Sequence, residues 1–279
     1  MNQATVQRRN NVTELGYEDG PVVVFAHGFG TDQGMWSKIM PYFEAKYRII
    51  LFDHVGAGGS DPEAYDSVKY RDISGYVADL LEILEAFDLR DVTLIGHSIS
   101  AMIAIHIAAK PEPRIANVVL LAASPSYMDR PEDGYVGGFS QEDLDELFES
   151  LDANYVVWAS RMAPVFMNAP TDPSLGTDLE RKFHKTNPLI AGEFARVSFL
   201  SDVRHLLNQV QVPTLIMQCA DDVVVPPHIG TYLADNLPQS TLVNMLAKGH
   251  FPQTSAPDET ATTMLHFLGE TSSNPALIR

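Results

Sequence analysis

The sequence predicts an α/β protein, a mostly parallel central sheet flanked by helices, with a block of helices set over the sheet's carboxyl edge. Three observations carry this. Short apolar runs recur at "VVVFA" (22–26), "RIILF" (48–52), "VTLI" (92–95), "NVVLLA" (117–122), "TLIMQ" (214–218) and "TLVNML" (241–246), each the length of a buried strand. Helical patterns lie between them, and that alternation implies parallel strands covered on both faces. It stops between Ser124 and Leu200, where no convincing buried strand appears.

The elements follow in order. The opening "MNQATVQRRNNV" has basic residues but no apolar stretch behind them, so no secretory signal is expected. The run 22–26 leads into His27, Gly28, Phe29 and Gly30, where glycine lets the backbone approach a reacting group closely. Ile73, Val77, Leu80, Leu81 and Leu84 step by three and four residues, which puts an apolar stripe on one face of a helix. The run 92–95 breaks at Gly96, Ser98 follows, and "AMIAIHIAA" (101–109) predicts an apolar helix behind it. Within 124–200, Ser140 and Asp143 form a capping box opening a helix through Leu151, and Ile190, Phe194 and Val197 fall at helical spacing. A helical block between two strands of one sheet is expected to sit over their carboxyl ends, where ligands bind in open α/β sheets. The division is therefore a core of 1–123 and 201–279 with a cap of 124–200, and the tail "TSSNPALIR" after Glu270 is expected to fray.

Composition bounds the function. The 279 residues are 45% hydrophobic and 20% charged, as in soluble globular proteins, and no apolar run approaches the roughly 20 residues of a membrane helix. A formal charge of −17 opposes nucleic acids and anionic membranes, which demand a basic face. Cys219, the one cysteine, excludes an internal disulfide and a thiolate-rich metal site, and the cytoplasm is the expected location. No lysine or arginine lies between Arg130 and Arg161, while Glu132, Asp133, Glu142, Asp143, Asp145, Glu146, Glu149 and Asp152 crowd the interval. That pattern is first a solvated helix face and second a patch for docking a partner protein.

The chemistry converges on three positions. Ser98, between a strand and a helix and two residues after Gly96, fits a tight elbow that holds its hydroxyl above the sheet. The free amides of the following helix favour negative charge at the same spot. Alone the motif is weak, because the fifth position of Gly-x-Ser-x-Gly is Ser100 and small residues flank serines in many turns. Of nine histidines, eight can each be given a structural role; His250 instead follows Gly249 just beyond the last apolar run, on a loop at the carboxyl edge. The orienting carboxylate comes from "CADDVVVP", where Asp221 and Asp222 compete. Asp222 is preferred, because serine hydrolases of this architecture usually place the acid four residues before a proline, here Pro226. Separately these are a turn serine, a helix cap and a surface imidazole; together, in the chain order serine, aspartate, histidine, they form a catalytic constellation. The backbone amides of Phe29 and Ile99 are the expected oxyanion donors.

These motifs resemble the α/β-hydrolase superfamily over the whole chain. Within it, "HGFGTDQGMW" (27–36), "DHVGAGGSD" (53–61), "GHSISAM" (96–102), "YVGGF" (135–139), "NYVVWA" (154–159), "QCADDVVVP" (218–226) and "GHFPQTSAP" (249–257) resemble the subgroup of the bacterial stress-response regulator RsbQ and the plant strigolactone and karrikin receptors. Val55, where arginine is usual in the superfamily, and Ser100 both fit that subgroup; Gln253 departs from it, since relatives often carry a second histidine there. The resemblance implies a Ser98–Asp222–His250 triad under a helical cap that encloses an apolar pocket. Phe29, Phe139, Trp158, Phe194, Phe199 and Phe251 are the candidate lining, with Phe29, Phe139 and Trp158 foremost. The expected activity is hydrolysis of a small, largely apolar ester or lactone through an acyl-enzyme, with no cofactor and no metal. The alternative is a slow-turnover receptor or stress-signalling regulator whose cap docks a partner protein.

Overall fold

Seven strands build one sheet in the computed structural model, which describes residues 2–269. The first half of the chain runs α1 (Gln3–Arg9), β1 (Thr13–Gly16), β2 (Val22–Ala26), α2 (Met40–Phe43), β3 (Arg48–Leu51), α3 (Ile73–Ala86), β4 (Val92–His97), α4 (Ile99–Ala108) and β5 (Ile115–Leu121). Four helices follow, α5 (Gln141–Ala153), α6 (Tyr155–Met167), α7 (Pro173–Phe183) and α8 (Pro188–Leu200). The chain then returns through β6 (Thr214–Gln218), α9 (His228–Asn236), β7 (Ser240–Asn244), α10 (Pro252–Ser255) and α11 (Pro257–Phe267). The tail expected to fray lies outside the described residues.

The strand order is β1-β3-β2-β4-β5-β6-β7, and every pairing is parallel except that of β1 with β3. All six predicted runs are strands. The sequence reading did not find β1, an edge strand with Glu14, Leu15 and Gly16 exposed and hence no apolar run to mark it. The inner strands are apolar because both faces are covered: all six residues of β4 and all five of β6 are buried.

Topology decides where a site can form. β3 lies on one side of β2 and β4 on the other, so the winding reverses between β2 and β4 and opens a crevice at their carboxyl ends. The loops carrying His27–Gly30 and Ser98 flank that crevice. β5 pairs directly with β6, from Val118↔Thr214 to Leu121↔Met217, although residues 122–213 and all four helices α5 to α8 lie between them. The block thus enters and leaves at the same edge of the sheet.

Local chemistry forms the helices that matter. In α4 every residue but His106 is buried, as expected of a helix that is apolar all round. The capping box at α5 is present: Ser140 Oγ accepts from the Asp143 amide (3.1 Å) and the Asp143 carboxylate accepts from the Ser140 amide (2.8 Å). Leu144, Phe148 and Leu151 then form its buried stripe, leaving the acidic residues outside. α6 and α7 pack closely because Gly176 has no side chain; a Cβ there would lie 3.1 Å from Pro164 Cα. No helix among the described residues is long and apolar enough to cross a membrane.

Candidate active site

Ser98 stands between β4 and α4 with φ 57° and ψ −122°, a conformation that costs a non-glycine residue about 1–3 kcal/mol. Its neighbours hold it there. The Ser98 amide donates to the Leu121 carbonyl at the end of β5 (3.0 Å), and the Ser98 carbonyl accepts from the Ala101 amide (2.9 Å). Gly96 is required because the helix comes back onto the strand: a Cβ at Gly96 would meet the Ser100 carbonyl oxygen at 2.3 Å. The strain aims Oγ out of the sheet, 2.8 Å from His250 Nε2.

His250 is held from four sides. Its Nδ1–H donates to Asp222 Oδ2 (2.8 Å), and since a carboxylate only accepts, Nε2 is left free to take the Ser98 proton. Its amide donates to the Phe166 carbonyl in α6 (2.7 Å), and its carbonyl accepts from His97 Nε2–H (2.7 Å). Gly249 makes the turn with φ 77° and donates to the Asp221 carbonyl (2.7 Å); a Cβ there would strike the Met167 carbonyl at 2.2 Å. Asp222 Oδ1 accepts from the amides of Val224 (2.8 Å) and Val225 (3.2 Å), which fixes the carboxylate. Both side chains are buried, with His250 4% and Asp222 6% exposed. Asp221, the competing candidate, faces α6 instead and accepts from Asn168 Nδ2 (3.1 Å).

The loop after β2 abuts Ser98. A Cβ on Gly28 would lie 2.6 Å from His97 Nδ1 and 3.2 Å from Ser98 Cβ, so only glycine brings this backbone so near. The Phe29 amide donates to nothing among the described residues. Ile99 opens α4, where first-turn amides have no acceptor inside the helix. Two free donors therefore flank Ser98.

Behind this loop lies a polar cluster that the sequence reading set aside one histidine at a time. The His54 amide donates to His27 Nε2 (3.0 Å), which puts the His27 proton on Nδ1, facing the Gly28 carbonyl (2.9 Å). Ser100 Oγ donates to the His27 carbonyl (2.5 Å) and accepts from His54 Nε2–H (2.8 Å). Ser100 is thus more than a small residue in a glycine position: it ties the loop after β2 to α4. Burial pushes His54 and His97 well below the ordinary imidazole range and lowers His27 as well, where the Asp53 carboxylate opposes it.

Above Ser98 is a small hollow of about 20 Å³, between the sheet edge and α6, α7 and α8. Of the six expected lining residues, Phe29, Phe199 and Phe251 reach it. Phe139, Trp158 and Phe194 stand in a layer behind that lining. Phe139 meets Phe199 edge-on (5.4 Å), Trp158 stacks on Phe183 (5.8 Å), and Phe194 packs against Phe29 (6.0 Å) and Tyr76 (4.6 Å). The nearer rings are Tyr127, Phe166 and Phe183, joined by Ser198 and Val224. Phe183 and Phe166 carried the same helical spacing as core residues, so periodicity could not single them out. Tyr127 had a signal, a polar aromatic in the loop directly after a buried strand. Its hydroxyl lies 3.1 Å from Ser98 Oγ.

Comparison with known proteins agrees with this geometry. Residues 21–257 match the α/β hydrolase fold family. The chain is 38% identical to a probable esterase of Oryza sativa subsp. japonica, over 94% of this chain and 97% of that protein. It is 36% identical to the karrikin insensitive 2 receptor CA of Petunia hybrida, again over 94% and 97%. Among solved structures, a hydrolase from Oleispira antarctica superposes with a TM-score of 0.92 at 38% identity, covering 97% of this chain and 98% of that one.

Proposed function

The chain belongs to the α/β hydrolase fold family, and we propose that it is a serine hydrolase that cleaves a small, largely apolar ester or lactone through an acyl-enzyme. One observation carries the reading: Ser98 Oγ, His250 Nε2 and Nδ1, and Asp222 Oδ2 form an unbroken hydrogen-bonded line, 2.8 Å at each link, at the floor of an aromatic hollow. Ser98 attacks the substrate carbonyl while its proton passes to His250, whose imidazolium Asp222 stabilises. The oxygen that becomes negative is received by the amides of Phe29 and Ile99, each worth about 3 kcal/mol in the transition state. His250 returns the proton to the leaving oxygen, and water then repeats the sequence on the acyl-enzyme. Aromatic walls suit an apolar acyl group, and the acidic residues outside the cap suit neutral over anionic substrates. Residues 124–200 act as the cap on a core of 1–123 and 201–279. A reducing compartment such as the cytoplasm fits Cys219, a buried free thiol.

The test is steady-state hydrolysis of neutral short-chain esters and lactones by wild-type protein and Ser98→Ala. Turnover that disappears in the variant supports the reading; turnover that survives, or a wild type inert on every neutral ester, sinks it. A matched carboxylate ester should react more slowly at low salt and recover at high salt.

A second reading is favoured by one contact together with the receptor relative. The His250 amide is bonded to the Phe166 carbonyl of α6, so movement of the helical block and the state of His250 are mechanically joined. On this reading slow turnover, or occupancy alone, shifts the cap and a partner protein docks on it. Turnover of a few events per hour together with ligand-dependent capture of a partner would favour the switch over the metabolic enzyme.

A further inference from the structure

The hollow offers few polar side chains, and all but one are committed elsewhere. His97 donates to the His250 carbonyl (2.7 Å), and Ser198 Oγ donates to the Phe194 carbonyl (2.8 Å). Ser98 and His250 face one another (2.8 Å). The remaining group is the Tyr127 hydroxyl, whose one side-chain partner among the described residues is Ser98 Oγ at 3.1 Å. Tyr127 follows β5 on the loop where the chain leaves for the cap, and the Phe139 amide donates to its carbonyl (3.1 Å). Its ring is 1% exposed and packs against Phe199 (5.3 Å).

Proton counting sets the direction of its hydrogen bond. Ser98 has one hydroxyl proton, and the acceptor facing it is His250 Nε2, so Oγ must receive the Tyr127 proton rather than give its own. Burial raises the phenol well above its ordinary value, so it keeps that proton throughout any working pH.

Resting on the serine-hydrolase reading above, we infer that Tyr127 is a further catalytic residue, a hydroxyl that shifts its hydrogen bond from Ser98 Oγ to the leaving-group oxygen. When Oγ forms its bond to the carbonyl carbon, it becomes an ester oxygen and a poor acceptor. The leaving oxygen must then stand within reach of His250 Nε2, close to Oγ, and Tyr127 Oη reaches the same space. The C–O bond to the leaving group breaks, its electron pair stays on that oxygen, and His250 delivers the proton taken from Ser98. Tyr127 keeps its own proton throughout and stabilises the charge that builds before His250 completes the transfer. By reversal of the same path, it orients the water that attacks the acyl-enzyme. The oxyanion amides serve the carbonyl oxygen; Tyr127 serves the other one.

The experiment compares wild type and Tyr127→Phe on esters of one acyl group with a poor leaving group, an ethyl or phenethyl alcohol, and a good one, p-nitrophenol. An alkoxide needs the donor and a nitrophenolate barely does. The variant should lose roughly 10- to 100-fold in kcat/KM on the alkyl esters and no more than about threefold on the nitrophenyl ester. The ratio of the two losses is taken on one protein preparation, so partial misfolding cancels from it. Equal losses on both esters, or no loss on either, overturn the role of Tyr127 while leaving Ser98 intact. A wild type that hydrolyses neither ester overturns the parent reading with it.

Discussion

Lowering the pH from about 7.5 to 5.5 should destabilise this fold by an amount that can be worked from three histidines. His27, His54 and His97 are fully buried, and burial depresses all three below the ordinary imidazole value of 6.5, His54 and His97 strongly. His27 Nε2 already accepts from the His54 amide, and His97 Nδ1 is buried with no partner among the described residues to receive a second proton. In the unfolded chain each titrates near 6.5, so below that pH the unfolded state binds more protons than the folded one. Stability is therefore fully present above pH 6.5 and is lost as the pH falls through the window below it. A group that stays neutral over the whole interval contributes about 1.4 kcal/mol of loss between pH 7.5 and 5.5. Two strongly depressed histidines and one less depressed give about 3 kcal/mol, a large fraction of the roughly 5–15 kcal/mol that holds a domain together. Urea unfolding followed by tryptophan fluorescence at several pH values measures this directly. An unfolding free energy that changes by less than about 1 kcal/mol across the interval would show that these histidines are not held neutral, and the tautomers assigned from the hydrogen bonds would fall with it.

Three substitutions probe the site itself. Asp222→Asn leaves a side chain that can donate to Nδ1 and favour the wrong tautomer, so kcat should fall by about 10⁴-fold with little change in melting temperature; a loss under tenfold would move the acid elsewhere. Gly28→Ala places a Cβ against His97 and Ser98, and it should cost at least about tenfold in kcat/KM through displacement of the oxyanion loop, against unchanged activity if the loop is not part of the site. Ser100→Ala removes the donor to the His27 carbonyl while His54 Nε2 remains 3.1 Å from that oxygen. One net hydrogen bond of about 1 kcal/mol should be lost, seen as a lower urea midpoint, whereas a neutral change would make Ser100 only a space-saving residue.

Much of the site was legible in the sequence because glycine punctuates it. Gly28, Gly96 and Gly249 each mark a place where a Cβ would strike backbone or a neighbouring ring, and each stands one or two residues from a functional group. The inner strands were legible because both their faces are buried. β1 was not, since an exposed edge strand of four residues has no apolar run. The pocket was half legible. Phe166 and Phe183 face it while Trp158 and Phe194 back it, yet all four sit on amphipathic helices, and helical period reports only that a residue points inward. The histidine cluster was missed for a different reason: each of His27, His54 and His97 has an ordinary structural explanation alone, and only the hydrogen bonds that join His27 to His54 through Ser100, with His97 bonded to the His250 carbonyl, show the support behind Ser98. Tyr127 belongs to a loop, where no periodicity exists to point a side chain.

The central claim is that Ser98 is a nucleophile activated by His250 and Asp222. It is tested most directly by intact-protein mass spectrometry after incubation with a fluorophosphonate, followed by peptide mapping. The account predicts a single added phosphonyl group, on the peptide containing Ser98, abolished in Ser98→Ala and strongly slowed in His250→Ala. A folded wild type that stays unlabelled, or a label on any other serine, would contradict it.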